Sequence, residues 1–173
     1  MPTGECPNNS YVNVRTQLHV IRAQDGASVF RLRTGAMTIP PAIALTTTLY
    51  QIDQYNTVQA VDVLGDVKWT VDLPGFTASP PVQGADGTLY VATDGSLYGH
   101  RSVWALSPLG KPLWNHVDGL LVRMALGEDG HLYAIDANHD MALRLQGPHR
   151  LLSLTTAGDL RWQVEFPDWR SIA

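Results

Sequence analysis

The chain has 173 residues, 45% hydrophobic and only 16% charged, enough for one globular domain and too little for two large ones. Lys and Arg total 12 against 16 Asp and Glu, a formal net charge of -4, so no overall basic field exists to hold nucleic acid or an anionic membrane surface. A lone cysteine, Cys6, excludes an internal disulfide and every paired-cysteine zinc, redox or haem motif, and no apolar run approaches the ~20 residues of a membrane helix.

In chain order, the first landmark is Ser10-Tyr11-Val12 after Asn8-Asn9, and the second is the apolar run from Leu18 to Ile21. Gly26 follows, with Phe30 four residues on. The same order then recurs. Leu49-Tyr50 is followed by the run from Val58 to Val61 and by Gly65 with Trp69. Leu89-Tyr90, preceded by Asp86-Gly87-Thr88, leads to the run from Val103 to Leu106 and to Gly110 with Trp114. Leu132-Tyr133, preceded by Asp129-Gly130-His131, leads to the run from Leu151 to Leu154 and to Gly158 with Trp162. The aromatics stand 39, 45 and 48 residues apart, a period of about 44.

Each segment is four to seven residues long, rich in Val, Leu, Tyr and Trp and bounded by Gly, Pro, Asn or Asp, which predicts strand and turn. No segment holds a helical stripe. After the glycine the pattern alternates: Val67, Trp69 and Val71 fall on one face, Lys68 and Thr70 on the other. One unit reads as strand A over 78–84, strand B over 88–93, strand C over 102–107 and strand D over 111–117. Four antiparallel strands per repeat make a propeller blade, so the fold class is all-β, a β-propeller of about four blades. The blades are expected over 1–34, 35–73, 74–118 and 119–166, with 167–173 leading into a further A strand. A single blade cannot bury both faces, so blades stack, and the D-strand aromatic is the expected wedge between neighbours.

Ala60-Val61-Asp62-x-x-Gly65-x-x-x-Trp69 and Ala105-Leu106-x-x-x-Gly110-x-x-x-Trp114 resemble the tryptophan-docking repeat of the pyrroloquinoline-quinone-type (PQQ-like) β-propellers. Ser79-Pro80-Pro81-Val82 and the segment from Asp86 to Val91 match its A and B strands, and the resemblance covers nearly the whole chain. It implies either part of a seven- or eight-bladed ring or an unusual four-bladed one. A ring missing blades leaves open apolar faces, which promote self-association.

The resemblance carries two functional expectations. Its enzymes hold a quinone between a tryptophan and a vicinal disulfide, beside calcium and a catalytic aspartate. This chain has no adjacent cysteine pair, and no residue matches the calcium ligands or the base, so no catalytic, cofactor-binding or metal residue is assigned. The expected role is therefore a non-catalytic binding or scaffolding propeller for a protein partner or an extended glycan. The alternative is part of a quinoprotein alcohol or sugar dehydrogenase whose catalytic residues lie outside these 173. Bacterial outer-membrane assembly lipoproteins illustrate the first class and imply a periplasmic or extracellular place. Residues 1–10 have neither the basic start nor the apolar stretch of a secretory signal.

Three features are candidate sites. Asp136-Ala137-Asn138-His139-Asp140 has an Asp-x-Asn-x-Asp spacing, but Met141 and Gly147 stand where a calcium loop needs Gly and Glu, which favours a polar B-to-C loop. The six histidines are scattered, and His116 takes the alternation position of Val71 and Val164, as a core histidine would. Arg123 aligns with Pro40 and Pro80 in the A strands that line a propeller channel. There it would offer a fork to an anion or pair with a carboxylate.

Overall fold

In a computed structural model of the protein, residues 16–34, 41–43, 48–53, 55–77, 79–94, 102–117, 121–136 and 149–166 are described. Every regular element among them is a β-strand. The first sheet holds β1 (Thr16–Ile21) and β2 (Ser28–Thr34). The second runs β3 (Ala42–Ile43), β4 (Leu49–Ile52), β5 (Thr57–Val61) and β6 (Val67–Asp72) in that order. In the third, β7 (Phe76–Thr77) and β8 (Val82–Gln83) both pair with β9 (Leu89–Asp94), which is followed by β10 (Ser102–Leu106) and β11 (Pro112–Val117). The fourth runs β12 (Leu121–Leu126), β13 (Leu132–Asp136), β14 (His149–Leu154) and β15 (Leu160–Phe166). All pairings are antiparallel, and all but that of β7 with β9 join chain neighbours. The chain is an all-β propeller of four-stranded antiparallel blades, about four in number.

The split of β7 from β8 has a local cause. Pro80 and Pro81 lack the backbone donor that a ladder needs, so pairing to β9 stops before them and resumes at Val82. The single strand expected over 78–84 is thus two short pieces.

The turns between the last two strands of the second, third and fourth sheets share one geometry. Asp62 accepts from the N–H of Gly65 at 3.1 Å through its carbonyl, while its own N–H donates to the Asp66 carbonyl at 3.0 Å. Its carboxylate accepts from the N–H groups of Leu64 and Asp66 at 2.9 and 3.0 Å, and the Asp66 bond foremost holds its pKa below the ordinary value. Thr155 repeats this with its hydroxyl on Ala157 and Asp159, and Ser107 with its hydroxyl on Lys111. The closing glycines, at φ 94, 78 and 92° for Gly65, Gly110 and Gly158, occupy the left-handed region that these turns require.

A bulge follows each turn. Val61 pairs with Val67 and Ala60 with Trp69, so Lys68 is left over; the same step recurs at Leu106, Leu154 and Ile21. It corrects the alternation expected from sequence: Val67 is displaced from the Trp69 face and exposed.

Two apolar layers lie between sheets. Tyr50, Ile52, Val58 and Ala60, with Trp69 and Val71, meet Leu89, Val91, Leu106 and Trp104. Tyr90, Ala92, Val103 and Ala105, with Trp114, meet Met124, Leu132, Ala134, Leu152 and Leu154. In the third sheet, which lies between the two layers, β9 is therefore buried on both faces, as Leu89 to Ala92 show.

Asn56 ties the end of the second sheet to the start of the third. It is buried at φ 65°, its Nδ2 donates to the carbonyls of Leu73 at 3.0 Å and Pro74 at 3.4 Å, and its Oδ1 accepts from the Thr77 hydroxyl. Asn is among the few side chains at ease in this conformation. Asn56→Ala, which loses those bonds, should lower unfolding stability by about 2 kcal/mol, and Asn56→Asp should not restore it, because a carboxylate cannot donate. Urea titration of the three proteins measures both.

Candidate functional site

The turns joining the last two strands and the turns joining the first two strands lie together on one rim. A β-carbon placed on Gly87, in a turn of the second kind, would stand 3.0 Å from Cγ of Pro108, in a turn of the first. Likewise, a groove of about 350 Å³ is lined by Gly84, Ala85 and Asp86 of the third sheet and by Leu126, Glu128 and Thr156 of the fourth. This rim is the candidate contact surface.

Its apolar points are Leu64 and Leu109, 75% and 83% exposed, each immediately before the glycine of equivalent turns in successive sheets; Val63 beside Leu64 is also exposed. An isolated surface leucine needs no explanation. A pair at the same rung of neighbouring turns gives a partner two anchors at a spacing set by the sheets. Asp62 and Ser107 hold these turns by side-chain bonds, so the leucines are presented on fixed backbone.

Beside the leucines the rim is acidic. Asp86 caps its own turn, accepting from the Thr88 N–H at 3.0 Å and hydroxyl at 2.9 Å. Asp129 accepts from the Tyr133 hydroxyl at 2.6 Å and the His131 N–H at 3.1 Å, and the Arg161 guanidinium lies 3.8 Å away. These contacts, the Tyr133 bond first, lower the pKa of Asp129 below its ordinary 3.8, and the same bond raises that of Tyr133. Because folding lowers the Asp129 value, its stabilising contribution is complete above pH 3.8 and lost as pH falls through the lower folded value. Tyr133→Phe should move the Asp129 carboxyl titration upward in a ¹³C NMR pH series; an unchanged midpoint would assign the shift to the backbone bond instead.

The features weighed from sequence are dispersed. Arg123 is exposed in β12 opposite Ile135, so its side chain stands on a sheet face with Ile135. It lies in the first strand of the fourth sheet, as the alignment with Pro80 expects, and the bulge between Leu121 and Arg123 precedes it. His116 shares the face of its partner Val103 and its Nε2 is buried. Of the calcium-like loop, Asp136 ends β13 and 137–140 lie outside the described residues, as do Cys6 and the landmark at Ser10 to Val12. Among the described residues no three His, Cys, Asp or Glu side chains are grouped to hold a metal ion.

A quinone does not fit the described residues. Trp69 and Trp114 are already committed: each ring faces a glycine of the next sheet, and each Nε1 donates to a carbonyl there. No second cysteine exists to form the other wall.

The rim leucines escaped the sequence analysis. Their signal was a large apolar residue directly before the turn glycine in Asp62-Val63-Leu64-Gly65 and Ser107-Pro108-Leu109-Gly110, positions that solvent-facing turns usually fill with polar residues.

No family model matches the chain, and no curated protein matches it. Among solved structures, BamB from Moraxella catarrhalis aligns with a TM-score of 0.55 at 14% identity, over 88% of this chain and 59% of that one. Quinohemoprotein alcohol dehydrogenase from Comamonas testosteroni aligns with a TM-score of 0.55 at 17% identity, over 75% of this chain and 21% of that one. The chain thus spans less than two thirds of either neighbour, and at these identities the likeness concerns the fold alone, that of a β-propeller.

Proposed function

We propose that this protein is a non-catalytic binding propeller that holds a protein partner on its turn rim. The observation that carries this reading is the pair Leu64 and Leu109, exposed at equivalent turns, with the groove of Asp86 and Glu128 on the same rim. Apolar anchors inside a polar, charged surround are the anatomy of a transient protein contact. The partner it fits presents two apolar side chains with basic residues beside them. The repeat resemblance and the likeness to BamB agree with a binding role, and the dehydrogenase likeness supports the alternative at the level of fold alone.

A photo-crosslinking residue placed at position 109 in cells tests this. A discrete adduct to another protein, lost on adding Leu64→Asp, is expected; a crosslinker at Lys111, on the far side of the turn glycine, should yield much less. No adduct at 109, or equal adducts at both positions, would overturn the reading.

A further inference from the structure

Three aromatic contacts join successive sheets in one way. The Phe30 ring lies against Gly65, the Trp69 ring against Gly110 and the Trp114 ring against Gly158; a β-carbon on those glycines would come within 3.0, 2.6 and 2.8 Å. The two tryptophans also donate, Trp69 to the carbonyl of Pro108 at 2.9 Å and Trp114 to that of Thr156 at 3.0 Å, in each case two residues before the glycine. The residue ending the strand before each of these turns is buried: Val61, Leu106 and Leu154 are at most 1% exposed. Each junction is thus a plug, the aromatic, in a socket made of a buried aliphatic, a left-handed glycine and a carbonyl.

The two outer sheets each hold half of such a junction. Trp162 has the plug position, stacked with Tyr133 as Trp114 is with Tyr90, yet it is 38% exposed. Val164 and Phe166 continue that open face. At the other end Gly26 has the socket conformation, φ 70°, with nothing within 4 Å of where its β-carbon would be. Ile21, in the place of Val61, Leu106 and Leu154, is exposed. Plug and socket both exist in this chain, and they do not meet within it.

We propose that the open face of the fourth sheet docks head to tail on the first sheet of a second copy, with Trp162 seated on Gly26 beside Ile21. The occupant follows from continuity: the second copy carries a socket of the same parts, an aliphatic, a left-handed glycine and a carbonyl (Gln24) two residues before it, in a turn one residue longer than the one Trp114 fills at Thr156 and Gly158. A heterologous contact of this kind leaves the first copy with a free socket and the second with a free plug, so it closes into a ring or grows. This surface is separate from the rim leucines.

Light scattering over a concentration series of the 173-residue chain tests the proposal. The wild type should associate into species of at least twice 18.9 kDa. Trp162→Ala and Ile21→Glu should each raise the dissociation constant about tenfold or more. Both side chains are solvent-exposed, so the variants should keep the wild-type circular dichroism and melting when dilute; Gly26→Asn, which tolerates positive φ, is the backup for the socket. Mixing Trp162→Ala with Ile21→Glu leaves one intact plug and one intact socket between unlike copies, and association should return above either variant alone. A monomer at all concentrations overturns the proposal. So does association that only one of the two substitutions weakens, or that mixing fails to recover, since the contact would then be face to face or elsewhere.

Discussion

Replacing Trp114 by alanine should destabilise the protein by about 3–5 kcal/mol, the range for deleting a large aromatic from a packed interface. The ring sits between the third and fourth sheets, against Gly158 on one side and tilted on Tyr90 at 5.8 Å on the other. It joins the apolar layer of Val103, Ala105, Leu152 and Leu154, and its Nε1 satisfies the Thr156 carbonyl. Truncation removes the contacts, opens a cavity and strips a turn carbonyl of its donor at once. Trp114→Phe keeps most of the apolar contact but loses the hydrogen bond, and should cost clearly less. Trp162→Ala, with the same strand position but no glycine across from it, should cost under about 1 kcal/mol in dilute protein. Urea midpoints at constant slope give all three values. Equal losses at Trp114 and Trp162 would show that burial under a neighbouring sheet is not what makes the aromatic stabilising.

That contrast also shows where the sequence is informative. The spacing of a glycine and an aromatic four residues on was legible because both are physically constrained. The turn needs φ near 90° at Gly65 or Gly158, and the interface needs a ring that covers a residue without a side chain. The strand around Leu89-Tyr90 was legible for a similar reason, since burial on both faces excludes nearly everything but apolar residues. Register was not. The bulges at Val61, Leu106 and Leu154 insert a residue that leaves no compositional trace, which is why Val67 was placed on the wrong face. The rim is harder still, because Leu64 and Leu109 obey no periodicity; they stand out only when two turns are laid side by side in space.

Gly110→Ala combined with Trp69→Ala separates the two reasons for a glycine at the junction. Alone, Gly110→Ala carries the left-handed backbone term, about 1–2 kcal/mol, and a steric term, because the new methyl would lie 2.6 Å from Cδ2 and 2.7 Å from Cε3 of the Trp69 ring. The ring cannot retreat freely. It is tilted on Tyr50 at 5.7 Å, and moving it breaks the bond to Pro108, so overpacking adds about 1–3 kcal/mol. Gly26→Ala, at φ 70° with open space around it, supplies the backbone term by itself in dilute protein. In the Trp69→Ala background the methyl meets no ring, so Gly110→Ala should cost no more there than Gly26→Ala does in the wild type. The double variant should then be more stable than the sum of the two single losses by about 1–3 kcal/mol. Full additivity would mean that the glycine is needed for its backbone alone, and the plug-and-socket account of the junctions, Trp162 on Gly26 included, would lose its physical basis.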